Sequence, residues 1–186
     1  MKRVMSYLLL LSGIVFYAFS YNNPTEEAAF NYIDQYKDLA VVEMYRSGIP
    51  ASITLAQALH ESSVGNSDLA IFANNHFGIK CKSYWTGKTF GHKDDDFDTN
   101  GILMKSCFRA YDSVLDSYID HSNFLMQSAH YGELFSIPKT DYKAWAHGLK
   151  KCGYATDPSY AEKLIDKIER YQLYLYDTQA NPLNNY

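Results

Sequence analysis

Glu61 closes the apolar run Ala51-Ser-Ile-Thr-Leu-Ala-Gln-Ala-Leu-His-Glu61. Ser-Ser-Val-Gly65 follows at once, and then Asn74-Asn-His-Phe-Gly-Ile-Lys80. A carboxyl delivered to the wall of an apolar helix is partly desolvated. Desolvation raises its pKa, so it can hold a proton near neutral pH and give it up as a general acid. Most helix-end carboxylates are only solvated or capping groups. Here the flanks argue for more. Gln57 lies four residues before Glu61 and shares its helix face. Asn74, Asn75 and His76 bring amides and an imidazole close by, and polar groups crowded against an apolar helix describe a cleft better than an open surface.

The elements that must position these groups are mostly helical. Thr25 caps a first helix with Glu26 and Glu27 in its opening turn, and Gly48 with Pro50 ends it. Ser52 starts the helix that carries Glu61. Asn66 or Ser67 caps a short helix through Ala73. Asp112 or Ser113 opens another, with Leu115, Ile119, Ser122 and Leu125 on a helical period. Thr140 precedes a helix holding Ala144, Trp145 and Leu149 that Gly153 closes. Asp157 is the expected N-cap of the last helix, with Pro158 at its first position and Leu164, Ile165, Ile168 and Tyr171 following. Between Gly87 and Tyr111 the pattern becomes strand-like, and Asp98-Thr-Asn-Gly101 is a turn signal. The fold class expected is α+β, mainly helical, with a β-hairpin on a helical body.

Taken together these residues resemble the glycoside hydrolase family 73 glucosaminidases, the peptidoglycan-cleaving domains of autolysins and of the flagellar rod hydrolase. The matching stretches are Ala56-Gln-Ala-Leu-His-Glu-Ser62 with Gly65, Asn74 to Lys80, Trp85-Thr-Gly87, Phe108-Arg-Ala-Tyr111, Asp120-His121 with Phe124-Leu125, and Gly153-Tyr-Ala-Thr-Asp-Pro-Ser-Tyr-Ala161. They span about Ile49 to Asp177, in the family order. The resemblance implies a lysozyme-like, two-lobed fold and an endo-β-N-acetylglucosaminidase that cleaves peptidoglycan glycan strands after N-acetylglucosamine. It implies Glu61 as proton donor and no metal or organic cofactor.

In this family a second acidic residue lies on the β region. Asp94, Asp95 and Asp96 are the candidates, with Asp95 in the expected range and Asp96 beside it as a substrate contact. Three adjacent aspartates also describe a solvated acidic turn, and the register of one residue is open. Tyr154 matches a tyrosine across the cleft from the acid. Gln57, Asn75, Phe77 and Trp85 are candidate substrate contacts, Asn75 toward an acetamido group and the two aromatics as stacking surfaces. Asp120-His121 is read as structural. The resemblance leaves open a lytic transglycosylase, an N-glycan endoglycosidase and a non-catalytic wall-binding protein.

Composition and compartment fit this reading. Net charge is −4, with 17 basic and 21 acidic residues, so no basic stripe points to nucleic acid. Tyr is abundant at 17, and its apolar face with a polar tip suits a sugar groove. Lys2 and Arg3, an apolar Met5–Phe19 core and Ala18-Phe19-Ser20 read as a secretory signal peptide over residues 1–20. A retained anchor is the alternative. The mature chain, residues 21–178 with a loose tail at 179–186, is then expected in the periplasm or outside the cell as a monomer without stable membrane insertion. Three cysteines lack zinc-ligand spacing. Cys81 and Cys107 border the β region and are the expected disulfide pair, with Cys152 left as a small buried hydrophobe.

Overall fold

The computed structural model describes residues 24–97 and 101–185. The signal-like segment therefore lies outside the described residues, as does most of the hairpin turn. Among the described residues, six α-helices build the body around an apolar core, and one two-stranded antiparallel sheet joins it. Among the described residues no helix is long and apolar enough to cross a membrane.

Helix α1 (Pro24–Ser47) buries Ala29, Tyr32, Ile33, Ala40, Val41 and Met44. Their three-and-four spacing makes one apolar stripe. Gly48 stops the helix at φ 85°, with its amide donating to the Met44 carbonyl at 2.9 Å. That left-handed step is cheap for glycine. Helix α2 (Ala51–Glu61) runs through the middle of the body, and every residue from Ala51 to Leu59 is buried. A helix buried all round must satisfy its polar groups internally. Thr54 Oγ1 donates to the Pro50 carbonyl, and Asp177 caps the helix start through Ser52.

Beyond Glu61 the chain takes three successive left-handed residues, Ser63 (φ 49°), Val64 (φ 60°) and Gly65 (φ 79°). A β-branched residue in that region is strained, and such strain persists only where the surroundings over-determine it. Ser62 ties the segment down: its Oγ donates to the Ala58 carbonyl at 2.6 Å and accepts from the Gly65 amide at 2.7 Å. Gly65 passes so close to the Tyr32 ring that a Cβ there would sit 3.0 Å from it. Helix α3 (Asp68–Ala73) follows, with Ser67 as its N-cap.

Strands β1 (Thr89–Phe97) and β2 (Leu103–Arg109) form the hairpin. The register runs from Thr89 opposite Arg109 to Lys93 opposite Lys105, then shifts so that Phe97 faces Leu103. Three residues of β1, Asp94 to Asp96, thus stand against one of β2, which is a bulge. Cys81 and Cys107 are disulfide-bonded, with Cα atoms 5.3 Å apart, and the Cys81 amide donates to the Cys107 carbonyl at 2.8 Å. The Arg109 amide donates to the Ile79 carbonyl and the Tyr111 amide to that of Ala73. The base of the hairpin is therefore bound to the segment that leaves α3. Cys152 is buried and apart from that pair.

Helix α4 (Val114–Gln127) opens with a capping box between Ser113 and Asp116. A 3₁₀ helix over Ala129–Ser136, unforeseen from sequence, leads to α5 (Tyr142–Lys151), which is capped by Asp141. Helix α6 (Tyr160–Arg170) begins later than expected, with Ser159 at the cap position. Asp157 is not that cap. Its Oδ1 accepts from the Ser159 amide at 2.9 Å within the preceding turn, and its Oδ2 pairs with Lys163. Short 3₁₀ segments over Leu173–Thr178 and Pro182–Asn185 finish the described chain. The second of these falls in the stretch expected to be a loose tail.

Candidate active site

Glu61 is the last residue of α2 and lies in the wall of a cavity of about 260 Å³. Phe77 to Lys80, Lys82, Phe124, Tyr131, Tyr154 and Ala155 complete the lining. Burial pushes the Glu61 carboxyl up to about 7, against the opposing pull of a hydrogen bond from Tyr160 and the charge of Lys167. Its place at the C-terminal end of α2, where the helix dipole disfavours negative charge, works in the same direction as burial. Glu61 is the only carboxylate among the described residues that line this cavity.

Behind the carboxyl lies a short relay. Tyr160 Oη donates to Glu61 Oε1 at 2.9 Å, and Gln57 Nε2 donates to Tyr160 Oη at 3.1 Å. Gln57 is fully buried, so the substrate contact expected of it is corrected: it supports the acid from inside. Gln57 shares its helix face with Glu61, but one turn before the carboxyl that face is closed off from the cleft by Tyr160 of α6. Tyr160 was not singled out from sequence, although it stands inside the Gly153–Ala161 stretch. Its apolar partners Leu164 and Ile168, at four and eight residues on, were the available signal.

Tyr154 stands where the sequence placed it, in the same cavity as Glu61. Its ring stacks on Tyr160 at 5.6 Å and 22° and meets the edge of His121 at 6.2 Å. Burial, with the Glu61 charge second, raises its phenol well above the ordinary range, so it is a neutral hydroxyl at any working pH. Phe77 reaches the cavity with one edge while stacking on His121 at a centroid distance of 3.9 Å. His121 is fully buried, and desolvation holds it neutral, down to about 3. Asp120 accepts from Arg109 Nη1 at 2.8 and 2.9 Å and from Tyr111 Oη at 2.6 Å. His121 is thus packed in the core, while Asp120, bound to the hairpin base, also lines the cavity beside Trp85.

Asn75 is corrected as well. It is buried, its Nδ2 donates to the carbonyls of Ile79 and Arg109, and its Oδ1 accepts from the Ile79 amide. All of its capacity goes into joining the Asn74–Lys80 turn to the hairpin base, and none is left for an acetamido group. Trp85 is half-buried and lies in a neighbouring cavity of about 770 Å³ with Tyr84 and Arg109. The Arg109 guanidinium sits 4.5 Å from the Trp85 ring centre, a cation–π contact that fixes the indole. Lys82, Phe124 and Tyr131 line both cavities, so the Glu61 cavity and the Trp85 cavity adjoin. Asp94, Asp95 and Asp96 stand on β1, and their side chains lie outside the described part of the structure.

A helical body with a small hairpin lobe, and one partly desolvated glutamate ending a buried helix beside an aromatic groove, define a lysozyme-like glycosidase architecture. The chain belongs to the glucosaminidase family: residues 37–173 match the family described as mannosyl-glycoprotein endo-beta-N-acetylglucosaminidase. It is 33% identical over 155 residues to the exo-glucosaminidase LytG of Bacillus subtilis, covering 81% of this chain and 54% of that protein. It is 30% identical over 146 residues to the peptidoglycan hydrolase FlgJ of Vibrio parahaemolyticus, covering 75% and 47%. The chain thus spans about half the length of the curated relatives it matches. Among solved structures, the catalytic domain of the autolysin Auto from Listeria monocytogenes superposes with a TM-score of 0.71 at 27% identity, over 81% of this chain and 88% of that one. The glycoside hydrolase domain of Salmonella typhimurium FlgJ gives 0.63 at 26% identity, over 85% and 99%.

Proposed function

We propose that the chain is a peptidoglycan hydrolase, an endo-β-N-acetylglucosaminidase that cleaves the β-1,4 bond after N-acetylglucosamine. The observation that carries this reading is the Glu61 carboxyl, raised to about 7 by burial in the wall of an aromatic groove. A glycan strand lies along the groove with Trp85 against a sugar face, while Phe77, stacked on His121, forms part of the cavity wall and not a stacking platform. Glu61 gives its proton to the glycosidic oxygen as the C–O bond breaks, and the leaving sugar departs as an alcohol. The positive charge that develops at the anomeric carbon faces the Tyr154 hydroxyl. Water then supplies the new anomeric hydroxyl.

Asp95, with Asp96 beside it at the bulge of β1, is the candidate for the second carboxylate that activates this water. A second route needs no protein carboxylate besides Glu61. In that route the substrate's own acetamido oxygen attacks first and water opens the cyclic product. Both routes use Glu61 in the same way.

The enzyme works as a monomer outside the cytoplasm, exported by the segment over residues 1–20. The disulfide between Cys81 and Cys107 supports an oxidising compartment. Digestion of purified sacculi by the mature chain, followed by mass spectrometry, tests the reaction. Fragments ending in reducing N-acetylglucosamine are expected. Anhydro-muramoyl ends would identify a transglycosylase, and release of glycan from a glycoprotein would redirect the substrate class.

A further inference from the structure

A phenol has one proton to donate. Gln57 Nε2 can only donate, and it lies 3.1 Å from Tyr160 Oη, so the phenol oxygen is the acceptor of that bond. The Tyr160 proton is then committed to the one remaining partner, Glu61 Oε1, at 2.9 Å. A carboxyl oxygen that accepts this bond is the poorer place for its own proton. The acid proton therefore resides on Oε2.

The relay is rigid at each link. Gln57 is fully buried on α2, and Tyr160 is buried at the first turn of α6. The Tyr160 ring is stacked on Tyr154 and has His60 at 5.7 Å on its other contacts. Gln57 Oε1, buried without a hydrogen-bond partner, costs stability that an apolar residue would not. A buried amide of that kind fits a role in orienting its neighbour.

We propose that Tyr160, oriented by Gln57, is a positioning residue that keeps the acid proton of Glu61 on Oε2, the oxygen left for the glycosidic bond. The inference rests on the reading of Glu61 as general acid. It assigns to Tyr160 a task separate from that of Tyr154, which borders the substrate cavity itself. The titratable and charged groups around Glu61 are Tyr160 and Lys167 from α6, Tyr154 from the turn after α5, and Lys80, Lys82 and Tyr131 around the cavity, and of these Tyr160 and Lys167 act on its carboxyl. His60 sits behind Tyr160, and burial, with the charges of Lys167 and Lys163 next, pushes its imidazole below the ordinary value.

The test is the pH profile of Tyr160→Phe and Gln57→Leu on soluble, uncrosslinked glycan strands. The Tyr160 bond favours the ionised carboxylate over the acid, so its loss raises the Glu61 pKa. For Tyr160→Phe we expect kcat at pH 6 to fall at least about tenfold with KM within about twofold. The alkaline limb of kcat/KM should move up by about one pH unit, as loss of a hydrogen bond to a charged group requires. Gln57→Leu should keep its fold and move the limb in the same direction by less.

A folded Tyr160→Phe enzyme with wild-type kcat, or with an unmoved or lowered alkaline limb, overturns the proposal. If Tyr160→Phe does not fold, Gln57→Leu decides, and a wild-type profile there overturns it equally. Failure of the general-acid reading shows separately, as activity retained by Glu61→Gln.

Discussion

Asp177, in the 3₁₀ segment Leu173–Thr178, caps the helix that Glu61 ends. Its Oδ1 accepts from the Ser52 amide at 2.8 Å and its Oδ2 from the Ser52 hydroxyl at 2.6 Å. The start of α2 is buried, so its free amides have no water to turn to. Helix α2 is thus anchored at both ends by distant segments, Asp177 at its start and Tyr160 at its finish. Asp177→Ala should destabilise the fold by about 1–3 kcal/mol, since it removes a cap and leaves buried donors unpaired. A thermal melt checks this. A melting temperature equal to wild type would mean that α2 does not depend on the cap.

Glu61 itself is expected to cost stability. Its folded pKa, about 7, lies above the value near 4.5 of an unperturbed Glu. The folded state therefore binds the proton more tightly than the unfolded chain does. Stability falls as pH rises through the window from about 4.5 to 7 and stays reduced above it. Glu61→Gln keeps the acceptor for Tyr160 and removes this penalty. Its advantage should be near zero at pH 4 and reach about 1–3 kcal/mol at pH 8. Denaturant melts at the two pH values measure it. An advantage independent of pH would contradict the raised pKa.

The disulfide holds the hairpin base to the cavity wall. Cys81 and Cys107 close a loop with a sequence separation of 26. Chain-entropy arguments give a cross-link of this size about 3–4 kcal/mol. Cys81→Ser with Cys107→Ser should lower stability by up to that amount. Activity should fall as well, because Phe77 to Lys80 and Lys82, on either side of Cys81, line the cavity. A double variant with unchanged melting temperature and rate would remove the disulfide from the account.

On the hairpin, Asp94, Asp95 and Asp96 can be changed singly to Asn. If Asp95 activates water, Asp95→Asn should lose at least about tenfold in kcat, within the range for general base help. The other two should lose only a few-fold. Losses of a few-fold at all three would assign the second function to the substrate's acetamido group.

Much of this arrangement was legible in the sequence. Glu61 at a helix end, the Ser67 cap, the hairpin and the Cys81–Cys107 pair each follow from signals within a few residues. Tyr154 came from a motif resemblance. What stayed hidden is what depends on contacts between distant segments. Tyr160 lies 99 residues from Glu61, and Asp177 lies 125 from Ser52. Gln57 and Asn75 were read as substrate contacts because amides near a cleft suit sugars. The fold turns both inward, where buried backbone and phenol groups needed them more. Asp157 carries a cap-like residue type, yet the Pro158 turn delays α6 until Tyr160. The 3₁₀ segment that brings Tyr131 to the groove has no clear periodicity to announce it.

The central claim is that Glu61 supplies the proton. The direct measurement is the rate at which soluble muropeptides are released from purified sacculi by Glu61→Gln beside wild type at pH 6, with circular dichroism to verify the fold. The account expects a folded protein whose rate is lower by about 10² to 10⁴. A folded Glu61→Gln chain that releases the same fragments at near wild-type rate would contradict it.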